Sequence, residues 1–147
     1  MAEPRERADV AVFAEIAAIA QLALNRLERA LPAGLSAASF AVLAYLARRP
    51  GPESPQSLAR AALVTKAAMT NTLQRLYGQG LVALAADPDD ARRKRVTITD
   101  AGQQAHREGL TASRPRLEAL REAFTPEEFA VALPFLRRLR GWLGSDR

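Results

Sequence analysis

Residues 54–99 read SPQSLARAALVTKAAMTNTLQRLYGQGLVALAADPDDARRKRVTIT, and the order of signals within them decides the fold. Ser54 followed by Pro55 marks a helix start. The hydroxyl can accept from the first free amides, and a proline at the first helical position leaves no N–H unpaired. A short helix from Pro55 to about Ala61 follows, with Leu58, Ala59 and Ala62 as its apolar side. Thr65 is a second N-cap. From Lys66 to Tyr77, the residues Met69, Leu73 and Leu76 recur at three- and four-residue spacing and give one buried helical face. The opposite face holds Lys66, Ala67, Thr70, Asn71, Gln74 and, at its margin, Arg75.

Gly78 and Gly80 stop this helix, and Leu81 to Ala86 reads as a strand. Asp87-Pro88-Asp89-Asp90 is a turn, and Arg92, Arg93, Lys94 and Arg95 lead the return side into Val96-Thr97-Ile98. Helix, tight turn, helix and basic hairpin, in that order, predict a winged helix-turn-helix. The second helix of such a unit enters a major groove, where small, amide and basic side chains reach base edges and phosphates. Lys66 and Arg75 suit phosphates; Thr70, Asn71 and Gln74 suit bases. Ser54, Arg93 and Lys94 complete the expected DNA contacts. Taken singly, Thr, Asn and Gln occur on any solvated helix and a basic run on any solvated hairpin. Their order along the chain gives them weight.

Outward from this unit the chain is helical. Phe13, Ile16, Ala20, Leu24, Leu27 and Leu31 trace a stripe along a first long helix closed by Pro32 and Gly34. Ser36 caps a second helix carrying Phe40, Leu43 and Leu46, and Arg48-Arg49-Pro50-Gly51-Pro52 forms an exposed turn. After the hairpin, Thr99 caps a long helix through Leu117, Leu120 and Phe124, which Gly109 and Pro115 should weaken or kink. Thr125-Pro126-Glu127-Glu128 combines a cap, an N1 proline and a Glu at N3, so a last helix starts there, bent at Pro134. Apolar helices this wide at both ends of a small domain point to a second copy as their cover.

The segments LSAASFAVLAYLARRPG, SLARAALVTKAAMTNTLQRLYGQGLV and DPDDARRKRVTITDAG resemble the MarR (multiple-antibiotic-resistance regulator) family. The resemblance is close over residues 35–102 and loose beyond them. It implies a DNA-binding transcriptional regulator acting as a homodimer, a repressor on a near-palindromic operator. It makes the Lys66–Tyr77 helix the recognition helix, and its Asp-x-Arg pair matches Asp90 and Arg92: Arg92 in the minor groove, Asp90 shaping the wing. The family commonly has Arg where this chain has Leu84 and Ala91, so this wing is less basic, with Arg93, Lys94 and Arg95 available for compensating phosphate contacts. It also implies a small aromatic or phenolic effector in a crevice lined by the first, second and fifth helices. Phe13, Phe40, Tyr45 and Arg49 are conceivable walls, each equally well explained as core or surface, so the effector site is unassigned.

The expected fold is therefore mainly α with a small β-hairpin, a winged helix-turn-helix plus N- and C-terminal dimerisation helices. One domain spans 1–147, with a DNA-binding lobe over 35–100 and a dimerisation lobe from 7–32 and 100–144. The 147 residues suffice for one core, and a net charge of +5 suits a polyanion. No cysteine is present, which removes disulfides, thiol redox sensing and cysteine nucleophiles. The single histidine, His106, reads as a solvated helix position, so neither a metal nor another cofactor is expected. No His pair, phosphate loop or plausible triad indicates an enzyme. Glu3, Arg5, Glu6 and Asp9 precede any apolar run, unlike a secretory signal, and Ile16–Leu24 is far short of the roughly 20 residues that span a bilayer. A cytoplasmic protein without a membrane partner is expected. The alternative is a winged-helix interaction module that lost useful DNA affinity.

Overall fold

The computed structural model describes residues 7–145, as six helices and one antiparallel hairpin: α1 (Ala8–Ala30), α2 (Ala37–Ala47), α3 (Pro55–Ala62), α4 (Lys66–Gly78), β1 (Val82–Ala86), β2 (Lys94–Ile98), α5 (Asp100–Ala123) and α6 (Pro126–Ser145). The mainly α winged helix-turn-helix read from the sequence is the fold observed. The chain divides into two compact units, residues 1–112 and 113–147, and α5 runs across the division.

In the first unit the helix starts are set by side-chain caps. Ser36, Ser54 and Thr65 accept the amides of Ser39, Ser57 and Ala68 at 3.0–3.1 Å, each satisfying one otherwise unpaired N–H. The core joins Val42, Leu43 and Leu46 of α2 with Leu58 and Ala59 of α3 and Met69, Leu73 and Leu76 of α4. Ala62, expected on the inner side of α3, is exposed because the helix ends there. Val82 and Val96 extend the core into the hairpin, whose register pairs Val82 with Ile98 and Leu84 with Val96.

Two features of this unit had no sequence signal. Leu63, between α3 and α4, adopts the left-handed conformation at φ 56° with its side chain 60% exposed. Glu53 forms a bridge to Val96, with its N–H donating to the Val96 carbonyl at 3.0 Å and the Val96 N–H donating back at 2.8 Å. The Glu53 carboxylate also accepts from the Ser57 hydroxyl at 2.6 Å. The foot of the hairpin is thereby tied to the first turn of α3.

Thr99 joins the hairpin to α5. Its hydroxyl donates to the Gly80 carbonyl at 2.7 Å and accepts the Gly102 amide at 3.1 Å. Gly102 sits so close to the Leu81 carbonyl and to Ile98 Cγ1 that a Cβ would overlap both. Gly109, read as a weak point, is another close approach: its backbone packs on the Phe40 ring, and α5 continues through both Gly109 and Pro115 to Ala123. Phe124 lies one residue past the helix, its N–H donating to the Leu120 carbonyl at 3.1 Å.

His106 is not the solvated residue that the sequence suggested. It is half-buried on Phe40, with ring centroids 5.7 Å apart. Burial lowers its pKa, and the charges of Arg48 and Arg107 lower it further.

The second unit holds the end of α5, a turn and α6. The Thr125 hydroxyl accepts the Glu128 amide at 3.3 Å while Glu128 Oε2 accepts the Thr125 amide at 2.8 Å, the reciprocal cap expected there. Phe124 and Phe129 meet edge to face with centroids 6.1 Å apart. α6 continues through Pro134, and Phe129, Leu133, Phe135, Leu136, Trp142 and Leu143 along it are exposed. Exposed apolar residues also run along α1, including Val10, Phe13, Ile19, Leu22 and Leu24. Alanines extend the apolar run well beyond Ile16–Leu24, so that α1, at 23 residues, is long and apolar enough to cross a bilayer by length and composition.

Opposite signs are expected for two substitutions. Leu63→Gly removes left-handed strain at little loss of burial and should stabilise by about 1 kcal/mol. Gly102→Ala should destabilise by about 2–3 kcal/mol, because the Leu81 carbonyl is backbone and cannot swing away. Urea unfolding of both variants checks the pair. Since the folded state favours neutral His106, its contribution is full above the ordinary imidazole pKa of about 6.5 and is lost as pH falls through the lower folded value. Replacing His106 with Gln should therefore flatten the decline of unfolding free energy as pH falls below about 6.5.

Candidate nucleic-acid interface

The candidate contacts rest on two elements of the first unit. On α4, the buried Met69, Leu73 and Leu76 fix the helix rotation, leaving Lys66, Ala67, Thr70, Asn71, Gln74 and Arg75 exposed. Residues on an α-helix are about 100° apart, which puts Asn71 and Ala67 nearest the middle of the outer face, with Gln74 on one side of it and Arg75 about as far on the other. Thr70 and then Lys66 lie further round on the Gln74 side. The Thr70 hydroxyl is already committed, donating to the Lys66 carbonyl at 2.9 Å. Thr72, further round, does the same to Ala68 at 3.1 Å.

The hairpin tip is built by carboxylates. Asp87 accepts the Asp89 amide at 2.9 Å, and Asp90 accepts the Arg92 amide at 3.0 Å. Two backbone bonds of 2.9 Å close the loop, from Asp87 N–H to the Arg93 carbonyl and from Arg93 N–H to the Asp90 carbonyl. The structure brings Asp90, Arg92 and Arg93 together: both guanidinium Nε atoms lie 3.8 Å from the Asp90 carboxylate. The Arg92 side chain is nonetheless 95% exposed and free to reach outward. Lys94 is exposed at the start of β2, paired across from Ala86.

Arg95 differs from its neighbours. It is half-buried and its guanidinium lies 3.5 Å from Asp87, so it braces the hairpin instead of standing open to a phosphate. The Asp89 amide, and after it the Arg95 charge, hold the Asp87 carboxyl below the usual carboxylate range. Ser54 is half-buried at the foot of the hairpin, its hydroxyl occupied as the α3 cap. Leu84 packs against the core opposite Val96, which accounts for an apolar residue there. Ala91 is exposed at the tip.

An open cavity of about 250 Å³ lies where the end of α2 meets β2 and the start of α5, with Leu46, Arg49, Gly51, Thr97 and Gln103 among its walls. Of the four conceivable wall residues, only Arg49 lines it. Its guanidinium stacks over the Tyr45 ring at 4.4 Å, Phe40 is taken up against His106 and Gly109, and Phe13 is exposed on α1. The cavity is walled by α2, β2 and α5. Among the described residues no group of three or more His, Cys, Asp or Glu could hold a metal ion.

Comparison with known proteins places this geometry. A model described as MarR family matches residues 33–93. The transcriptional regulator HosA of Escherichia coli O111:H- is 32% identical over 131 residues, covering 86% of this chain and 93% of its own. The chain belongs to the MarR family. Its fold is shared by a MarR-family transcriptional regulator of Streptomyces coelicolor solved in complex with DNA, with 22% identity, a TM-score of 0.78, and coverage of 95% of this chain and 90% of that one. It is shared as well by the PcaV regulator of Streptomyces coelicolor, solved with its natural ligand, at 20% identity and a TM-score of 0.77 over 96% and 98% of the two chains. With MarR membership the winged helix-turn-helix is a DNA-binding, transcription-regulating unit. These matches reach well beyond the winged helix, so the terminal helices are part of the MarR fold.

Proposed function

We propose that this MarR-family protein is a homodimeric repressor that occupies a near-palindromic operator through two winged helices and is released by a small aromatic or phenolic ligand. The observation that carries the reading is the pairing, in one unit, of a core-locked helix with an outer face of Lys66, Thr70, Asn71, Gln74 and Arg75 and a carboxylate-braced wing whose Arg92 is open. Asn71 and Gln74 read base edges, and Lys66 and Arg75 hold phosphates on either flank. Arg92 enters the minor groove from a loop shaped by Asp90, with Arg93 and Lys94 on the backbone. Ser54 contributes from the α3 terminus, where first-turn amides favour an anion.

The dimer is supported by the exposed apolar surfaces of α1 and α6, which a second copy covers in this reading. It makes α1 an interface helix of a cytoplasmic protein and not a membrane span. The one domain then works as a DNA-binding lobe, 35–100, carried by dimerisation helices from 7–32 and 100–144. Ligand release is supported by the PcaV complex with its natural ligand and by the Arg49-lined cavity, where a cation suits an anionic ring compound. Release is then a shift in the population of DNA-competent dimers.

Fluorescence anisotropy with the protein's own upstream DNA and with a scrambled duplex tests the regulator. Specific binding at least about a thousandfold tighter is expected. Arg92→Ala should cost on the order of 1–3 kcal/mol on the specific duplex; unchanged affinity would remove the wing from the interface and favour the interaction module. Sedimentation should give a dimer, and Leu22→Glu together with Leu136→Glu should shift it to a folded monomer with weakened operator binding.

A further inference from the structure

We propose that α4 reads A·T base pairs, so that the major-groove core of each half-site is A·T-rich. This inference rests on the proposed DNA-reading role of α4 and goes beyond it by naming what is read.

The residues nearest the middle of the outer face, Asn71 and Ala67, are uncharged, as is Gln74 beside them. A carboxamide presents a donor and an acceptor side by side, which matches the N7 acceptor and N6 donor of adenine in a bidentate pair. Guanine offers two acceptors there and is met by Arg or Lys, while the cytosine amino group is met by Asp or Glu. α4 contains no carboxylate; of its two cations, Lys66 lies well round toward the buried side, and Arg75 lies across the middle from Gln74, where the proposed function gives it a phosphate.

Thr70 strengthens the assignment. With its hydroxyl donating to the Lys66 carbonyl at 2.9 Å, the proton is spent within the helix, and the outward character of this side chain is that of its methyl group. Ala67 likewise offers a methyl. Both are suited to the C5-methyl of thymine. Two adenine readers and two methyl contacts converge on one pair type, on a helix whose rotation is fixed by Met69, Leu73 and Leu76.

The test is selection of bound duplexes from a randomised library by the full-length wild type, Asn71→Ala and Gln74→Ala proteins. Both side chains lie outside the core, and circular dichroism confirms that the variants fold. Each variant should lose its preference at one position per half-site, and at those positions the wild type should select adenine. Substituting deoxyuridine for thymine in the selected core removes only the methyl groups and should weaken wild-type binding about 5- to 50-fold in total. The same substitution should cost the Thr70→Ser protein less, because that variant keeps the internal hydrogen bond and lacks the methyl. Guanine or cytosine at the positions lost by the two variants, or binding indifferent to deoxyuridine, would overturn the A·T reading while leaving a sequence-specific regulator. No enriched sequence with wild type would overturn the regulator itself and this inference with it.

Discussion

Val96 is the residue on which the DNA-reading unit depends. Its side chain is wholly buried, its N–H and carbonyl both bond to Glu53 before α3, and it stands opposite Leu84 across the hairpin. A free two-stranded hairpin is marginal in water, so a wing joined to its domain only through its ends would not hold an orientation. Here a third backbone segment and a buried side chain supply it. Glu53 is also tied to Ser57, and α3 packs on α4, so wing and recognition helix share one frame. Thr99 and Gly102 extend that frame into α5 without a side chain between α5 and the Leu81 carbonyl.

Much of this was legible in the sequence because it is local. Caps at Ser36, Ser54, Thr65, Thr99 and Thr125 are readable from residue type and spacing, and each makes the expected hydrogen bond. The rotation of α4 followed from Met69, Leu73 and Leu76. What escaped was long-range or ambiguous in residue type. The Glu53 bridge joins segments over forty residues apart in sequence, and nothing in Glu-Ser-Pro announces a strand partner. Gly109 reads as helix weakness because an isolated glycine has two meanings, flexibility or close approach, and only the neighbour's position separates them. His106 likewise looks solvated until Phe40 is placed against it.

The candidate site was legible to the level of elements. α4 and the wing are where they were expected, with the named side chains exposed, apart from the half-buried Ser54, which serves as a cap, and the half-buried Asp90 and Arg95 of the wing. The bracing role of Arg95 was hidden within a run of four similar cations, since sequence cannot say which of them the Asp87 carboxylate across the hairpin will hold. The apolar residue at position 84 has a plain physical reason in its packing opposite Val96.

The carboxylates of the hairpin tip have a consequence for kinetics. Asp87, Asp89 and Asp90 stand against Arg92, Arg93, Lys94 and Arg95, so this loop carries little net charge despite its many cations. Such a tip attracts a duplex weakly at long range, where only the sum of charges is felt. At short range the separate groups matter. An approach that leaves an aspartate facing a phosphate is repelled, whereas the proposed entry of Arg92 into the minor groove turns its charge away from Asp90 toward the DNA. In the proposed binding mode the wing then adds little to long-range capture and shortens the residence of misplaced encounters, which favours rapid scanning over adhesion to any stretch of duplex.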